Sequence, residues 1–265
     1  MRDARGFLQR LFATAVEAAQ PERVLPGFLP PPPAGRTLVL GAGKAAAAMA
    51  KVVDSHWQQE LSGLGVTRYG QSQDCGRIEV VEASHPVPDS AGQRAARRML
   101  DLCGDLCADD LVLCLISGGG SALLSLPGGD ISLAEKQDLN RKLLHCGASI
   151  AQINTVRKHV SAIKGGRLAA ACHPAKVVSL MISDVPGDNP ELIASGPTVP
   201  DPTSAADARA IIERYQLDVA DSIHRFLHSP EAETPVPEDA VFGGNEVHVV
   251  AGPQVSLQAA AQQAR

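Results

Sequence analysis

The stretch Leu111–Gly129, LVLCLISGGGSALLSLPGG, decides the fold class of this chain. Its first part is a continuous apolar run that leads into Ser117, which is typical of a strand buried on both faces of a sheet. Three glycines follow, and directly after them comes an apolar segment that resembles a helix start. Three adjacent residues without side chains weaken any regular element. The glycines therefore indicate a sharp turn, close packing or the close approach of a ligand.

The succession of strand, turn and helix recurs along the chain. No strand is predicted between Gln58 and Gly70, and the helix that opens at Ser149 is expected to run to the glycines at 165–166. Strands are predicted at Leu38–Leu40, 77–83, Val112–Ile116, Val177–Ile182 and 246–251. Alternating strands and helices predict an α/β fold, a Rossmann-like open and mainly parallel sheet with helices on both faces. Ligands of such sheets bind at the carboxyl ends of the strands.

Composition excludes several classes of function. The chain has 265 residues, 45% of them hydrophobic and 3% aromatic, and a net charge of −5. This acidic balance argues against a nucleic-acid partner, for which a basic stripe would be expected. No apolar run has the length that spans a bilayer, so no membrane partner is expected. The six cysteines form no CxxC pair, which favours reduced thiols in a cytoplasmic protein.

The segment Gly41–Ala46, GAGKAA, fits two nucleotide-binding patterns incompletely. It matches the G-x-G-x-x-A form of the dinucleotide fingerprint, but no strand is predicted whose tip would carry the next acidic residue, Glu60. It also resembles the end of a P-loop, although Leu38 replaces the first glycine and Ala45 the magnesium-binding hydroxyl. A tight turn explains the glycines alone. Lys44 opposes the dipole of the following helix, so we interpret it as the partner of a bound anion.

The amides of Gly118, Gly119, Gly120 and Ser121 form the strongest candidate binding element. Successive N–H groups at a helix start can surround an anion, and the missing side chains let a phosphate or carboxylate come close. The segment does not match the G-x-S-x-G elbow of acyl hydrolases. Close packing of helix against strand is the alternative explanation.

A polar helix adds further candidates. The helical spacing of NTVRKHVSAIKGGR places Asn154, Lys158 and Ser161 on one face. A charged helix face is usually just solvated. Here, however, Lys164 precedes Gly165–Gly166, a second bare backbone segment beside a cation, which we interpret as a cofactor contact.

Two carboxylates end the strand that begins at Val177. Asp184 and Asp188 are oxygen donors of the kind that Mg²⁺ prefers, although an exposed loop carries such residues for solubility as well. His85 could act as a general base, or it could be a turn residue beside prolines. Lysines, free amides and carboxylates together are the equipment of phosphoryl transfer.

Five motifs taken together resemble the N-terminal domain of the MOFRL-type glycerate 2-kinases, many of which carry the older name hydroxypyruvate reductase from the tartrate-degradation operon. The resemblance runs from about Leu38 to Ser204. The motifs are GAGKAA (41–46), SHPVPD (84–89), LISGGGSALLSLP (115–127), VRKHVSAIKGGRLA (156–169) and SDVPGDNPELIASGPTVPDPT (183–203).

The resemblance implies a cytoplasmic enzyme that transfers the γ-phosphoryl group of ATP to the 2-hydroxyl of D-glycerate with Mg²⁺. It implies that Lys44 acts on the glycerate or on the transferring phosphoryl group. The substrate-binding residues that it implies are Ser117, Gly118, Gly119, Gly120, Ser121, Asn154 and Lys158.

The resemblance also implies that residues 1–265 are the Rossmann-like large domain, and that a smaller C-terminal module with an active-site arginine lies outside this sequence. The expected partner is the small hydroxy acid, and a homodimer is left open. Two other functions remain open as well: an NAD(P)-dependent hydroxypyruvate reductase, and a truncated, non-catalytic remnant that binds a metabolite.

Overall fold

The computed structural model describes residues 3–265, and one six-stranded sheet lies at its centre. Met1 and Arg2 lie outside the described residues. The strands are β1 (Thr37–Ala42), β2 (Leu61–Arg68), β3 (Ile78–Ala83), β4 (Leu111–Ser117), β5 (Lys176–Ile182) and β6 (Glu246–Ala251). All five pairings are parallel, in the order β3-β2-β1-β4-β5-β6. This is the doubly wound Rossmann order, which confirms the predicted α/β fold class.

Helices connect the strands and cover both faces of the sheet. They are α1 (Ala4–Ala18), α2 (Pro21–Val24), α3 (Ala46–His56), α4 (Ser90–Leu102), α5 (Gly120–Leu123), α6 (Leu133–His145), α7 (Ile150–His159), α8 (Arg167–Cys172), α9 (Ala205–Arg214), α10 (Asp221–Leu227) and α11 (Pro253–Gln263). None of the helices in residues 3–265 is long and apolar enough to cross a membrane.

Three clusters of buried apolar side chains make up the core. Alternate residues of β1 divide between the first two: Leu38 and Leu40 pack on one face of the sheet with α4 and α8, while Val39 packs on the other with α3. The third cluster joins α6, α7, α9 and α10 and contains no strand residue. A helical lobe is therefore attached to the doubly wound sheet.

The expectation that no strand lies between Gln58 and Gly70 is wrong, because β2 occupies Leu61–Arg68 beside β1. Two glycines weakened the sequence signal, since glycine has low strand propensity. The structure explains one of them by close approach. A Cβ atom on Gly63 would lie 2.3 Å from the carbonyl oxygen of Val39.

The helix that opens at Ser149 is shorter than predicted. α7 ends at His159, and the chain then pairs with an earlier segment instead of continuing to the paired glycines. The amide of Gly128 donates to Val160 O, the amide of Ala162 donates to Leu126 O, and the Ser161 hydroxyl donates to the same oxygen. Ser161 therefore does not share a helical face with Asn154 and Lys158.

Capping boxes start two of the helices. The side chains of Ser132 and Glu135 reciprocally cap α6, and those of Ser149 and Gln152 cap α7. A third box, formed by Ser204 and Asp207, starts α9.

Replacing Gly63 tests the close approach of β2 to β1. Gly63→Ala is expected to lower the free energy of unfolding by about 1–3 kcal/mol, because the new methyl group has no space beside Val39. Gly65→Ala on the same strand is the matched control, since its nearest neighbour would be Val80 Cγ2 at an ordinary 3.5 Å. Urea unfolding of both variants checks this, and equal stability would contradict it.

Candidate active site

The tips of β1 and β4 lie side by side at the point where the strand order reverses. Ligands of open α/β sheets bind in the crevice outside such a point. Two hydrogen bonds join the tips. The Lys44 amide donates to Gly118 O at 2.9 Å, and the Ala45 amide donates to Ser117 Oγ at 3.0 Å. The Ser117 hydroxyl thus caps α3, whose own N-cap residue provides no side-chain cap.

Each of the three glycines after β4 has a steric reason. A Cβ atom on Gly118 would lie 2.0 Å from Asp184 Oδ2, and one on Gly120 would lie 2.6 Å from Ala194 Cβ. Gly119 has φ +85°, a left-handed conformation that favours glycine. A sharp turn and close packing, two of the alternatives open from the sequence, both apply here.

The same turn leaves its amides available. Within residues 3–265, none of the amides from Gly118 to Ser121 donates a hydrogen bond to a backbone or side-chain acceptor. Four successive unpaired N–H groups beside a helix start are suited to an anion. That they bind a substrate stays a prediction.

Three ionisable side chains meet around Gly119. An added Cβ atom there would lie 3.0 Å from Lys44 Cε and 3.2 Å from His85 Nε2. Lys44 Nζ lies 3.4 Å from Asp184 Oδ2, and both side chains are about half exposed. Lys44 sits just before the N-cap residue of α3, so its amine can reach an anion held by the glycine turn.

The surroundings of His85 favour its neutral form. Burial lowers the pKa of its imidazole below the usual 6.5, and the charges of Lys44 and Arg68 lower it further, against an opposing effect of Asp184. A neutral imidazole beside a cation can accept a proton near neutral pH. The sequence left its role open between general base and turn residue, and the structure brings it to the site.

A cavity of about 360 Å³ opens beside the glycine turn, a size suited to a small ligand. It is lined by Gly119 and Ser121, by the loop from His85 to Pro88, and by residues of α6 and α7. Arg157 and Arg141 are its two cationic residues.

Asp188 occupies a different position from Asp184. It has φ +52°, and its carboxylate packs against Gly252 at the start of α11. Its Oδ1 atom is buried without a hydrogen-bond partner. Residues 3–265 contain no group of three His, Cys, Asp or Glu side chains that could hold a metal. A cation here would therefore share its coordination with ligand oxygens, as Mg²⁺ commonly does.

A buried turn in the left-handed conformation packs against the glycine turn. Ala194, Ser195 and Gly196 all have φ between +54° and +63°, which is unfavourable for the first two. The Ser195 hydroxyl donates to Asn154 Oδ1 at 2.9 Å and lies 3.0 Å from Ser121 Oγ. Asn154 thus reaches the site through Ser195, and direct contact with substrate stays a prediction.

The segment Lys164–Gly166 holds this turn in place. Lys164 Nζ donates to Ala194 O, and the amides of Gly165 and Gly166 donate to Ser195 O and Gly196 O. Lys164 is 1% exposed, and burial lowers its pKa well below the usual value. These contacts give the segment a structural role, and cofactor binding there stays a prediction.

Lys158 forms a buried ion pair. Its amine donates to Asp201 Oδ1 at 3.1 Å, and the other oxygen of Asp201 accepts from the Thr234 hydroxyl. The pair links α7 to the loop before α9. The amine of Lys158 is thus already engaged with Asp201. Contact between Lys158 and a substrate stays a prediction.

Lys136 is a buried cation that the sequence analysis missed. It is 2% exposed and donates to Leu126 O and Val160 O at 3.1 and 3.4 Å. Its spacing from Leu139 and Leu143 places all three on the apolar face of α6, which is the signal that could have revealed it. Burial lowers its pKa to about 7, with Arg157 and Arg167 adding to the effect.

The dinucleotide fingerprint lacks its acidic residue. β2 ends in Thr67 and Arg68. Glu60 lies before its first residue, at the amino ends of the strands, whereas the crevice lies at their carboxyl ends. β2 therefore supplies no carboxylate of its own at its tip, the position from which the fingerprint's acidic residue binds a ribose.

A Rossmann-order sheet with a lysine, a histidine and free amides at its switch point defines an α/β protein whose crevice carries groups suited to an anion. Residues 7–228 match the family described as a domain of unknown function, DUF4147, and the chain belongs to this family.

Relatives and solved structures agree with this assignment. A D-glycerate 2-kinase of Thermotoga maritima is 41% identical over 91% of this chain and 56% of its own length. A protein of Agrobacterium vitis, provisionally named hydroxypyruvate reductase, is 51% identical over 97% of this chain and 58% of its own. The crystal structure of a Thermotoga maritima glycerate kinase superposes with a TM-score of 0.90 at 38% identity and covers all of this chain and 63% of that one. The resemblance to glycerate 2-kinases is confirmed, and the chain spans somewhat over half the length of these relatives.

Replacing Lys136 tests the cost of its burial. Because its pKa falls from 10.5 in the unfolded chain to about 7 in the folded protein, the lysine destabilises fully below pH 7, and this cost disappears as the pH rises to 10.5. Lys136→Met is therefore expected to stabilise at pH 7 by about 1 kcal/mol or more. Both carbonyls keep a second donor, the amides of Ala162 and Gly128.

Urea unfolding at pH 7 and pH 9 measures this effect. The gain from Lys136→Met should be smaller at pH 9, whereas Lys142→Met, which removes a partly exposed amine paired with Asp138 on α6, should show no such trend. A loss of stability at pH 7 would mean that the two hydrogen bonds outweigh the burial of the amine.

Proposed function

We propose that this chain forms the large domain of a glycerate 2-kinase, which transfers the γ-phosphoryl group of ATP to the 2-hydroxyl of D-glycerate. The observation that carries the proposal is the meeting of Lys44, His85 and Asp184 around Gly119, beside four unpaired amides. The names of the relatives support the same activity.

Phosphoryl transfer requires positioning and charge stabilisation more than covalent chemistry. The amides of Gly118–Ser121 would hold phosphoryl oxygens, and the Lys44 amine would stabilise the charge that develops on them. Asp184 and Asp188 would hold Mg²⁺ together with phosphate oxygens, which suits the unpartnered Oδ1 of Asp188. Bound there, Mg²⁺ supplies charge neutralisation at the phosphates.

His85 is the group that would accept the proton of the substrate hydroxyl. It lines the cavity and is kept neutral by burial and by Lys44. Loss of this proton makes the hydroxyl oxygen nucleophilic as the phosphoryl group arrives.

The reductase alternative has less support. It depends on the fingerprint at Gly41–Ala46 and on the name of the Agrobacterium vitis relative. Since β2 ends without a carboxylate, the fingerprint is incomplete in the fold as well as in the sequence.

Lys44→Met tests the charge-stabilising role. D-glycerate phosphorylation by the intact protein, measured with ATP and Mg²⁺, is expected to fall on the order of 10²-fold or more. Stability should change little, because the pair with Asp184 is half exposed. Lys51→Met on the exposed side of α3 is the control. A Lys44→Met protein with near-normal turnover would refute the role.

ATP–Mg²⁺ binding without D-glycerate binding would point to another acceptor, and NADH binding alone would favour the reductase.

His85→Gln tests the proton acceptor through the pH profile. In the unchanged protein kcat/KM should fall at low pH, because the imidazole becomes protonated there, and the lowered pKa of His85 places this acid limb below the usual 6.5. The variant should lose about 10²–10⁴-fold in rate and also lose this acid limb. His145→Gln, at the exposed end of α6, should keep both rate and limb. If His85→Gln keeps them too, Asp184 is the better candidate.

A further inference from the structure

Arg157 is a cation without an anionic partner at the wall of the cavity. It lies in the last turn of α7, and its Nε donates to Asn140 Oδ1 on α6 at 3.0 Å. Among residues 3–265, neither of its terminal nitrogens donates a hydrogen bond, and no carboxylate lies within 4.0 Å of its guanidinium.

Neighbouring cations in the described chain satisfy their charges in other ways. Arg141 lines the same cavity but pairs with Asp138 at 2.9 Å. Arg167 donates to two backbone carbonyls and lies near three acidic side chains. Lys136 and Lys164 are buried without carboxylates, and their lowered pKa values allow them to lose a proton.

Arg157 has no such alternative. A guanidinium keeps its proton at every pH at which a protein is folded. A partly buried charge without a partner is costly, and an anion that enters the cavity removes that cost. The part of the cavity that Arg157 lines is therefore suited to an anionic group.

The other groups that line the cavity identify that group. Gly119 and Ser121, whose amides are unpaired, and His85 suit a phosphoryl group and a hydroxyl. A hydroxy acid also carries a carboxylate, and its two oxygens match the two free terminal nitrogens of Arg157. A cavity of about 360 Å³ has room for one small acid.

We propose, resting on the function proposed above, that Arg157 binds the carboxylate of the hydroxy acid and so selects acids over uncharged alcohols. Asn140 positions the guanidinium through its contact with Nε. The phosphoryl group of the nucleotide would then bind at the glycine turn.

Calorimetric titration of chain 1–265 tests the proposal with four probes: D-glycerate, L-lactate, glycerol and ATP–Mg²⁺. Arg157→Gln is expected to weaken D-glycerate binding about 30-fold or more and to leave ATP–Mg²⁺ binding within about threefold. Arg157→Lys, which keeps the charge without the planar fork, should recover part of the affinity. Arg141→Gln is the matched control, since it removes a paired charge from the same cavity. Thermal unfolding of each variant establishes that it is folded.

Other results would overturn the proposal. Equal losses for Arg157→Gln and Arg141→Gln would show an unspecific charge effect, and a loss confined to ATP–Mg²⁺ would assign Arg157 to the nucleotide. If L-lactate binds in an Arg157-dependent way and D-glycerate does not, the carboxylate contact stands and the proposed acceptor is wrong. If no carboxylate binds the unchanged chain, both fall.

Discussion

The contact between the tips of β1 and β4 is the constraint on which the rest of the site depends. The amide of Lys44 is bound to Gly118 O, and the Ser117 hydroxyl caps α3 from the neighbouring strand. Gly43 is needed for this contact, since a Cβ atom there would lie 2.2 Å from Ser117 Oγ. Because the two segments are fixed to each other, the lysine and the glycine turn face one crevice.

Most of the fold could be predicted because its signals are local. The apolar runs of β1, β4 and β5 and the capping boxes of α6 and α7 are each visible within a few residues. β2 could not be predicted in this way. Gly63 is required by a carbonyl on another strand, 24 residues earlier in the chain, and a glycine of this kind gives the same local pattern as a loop.

The free backbone amides of the site could be predicted from the sequence, whereas the partners of its side chains could not. Successive glycines after a buried strand indicated free amides, and the structure has them. The partners of Lys158 and Lys164 are Asp201 and Ala194 O, 43 and 30 residues further along the chain. No helical spacing reveals such partners, so the contacts of these two lysines in the interior could not be predicted from the sequence.

The buried cationic side chains in and beside the helical lobe avoid the cost of an unpaired charge in two different ways. An amine can give up its proton when it is desolvated, as the lowered pKa values of Lys136 and Lys164 indicate. A guanidinium cannot, and must find acceptors or an anion. Arg167 finds backbone carbonyls, whereas Arg157 has one amide oxygen and an open cavity. The choice of arginine at position 157 thus keeps a permanent charge beside the crevice, where a lysine could have been neutralised.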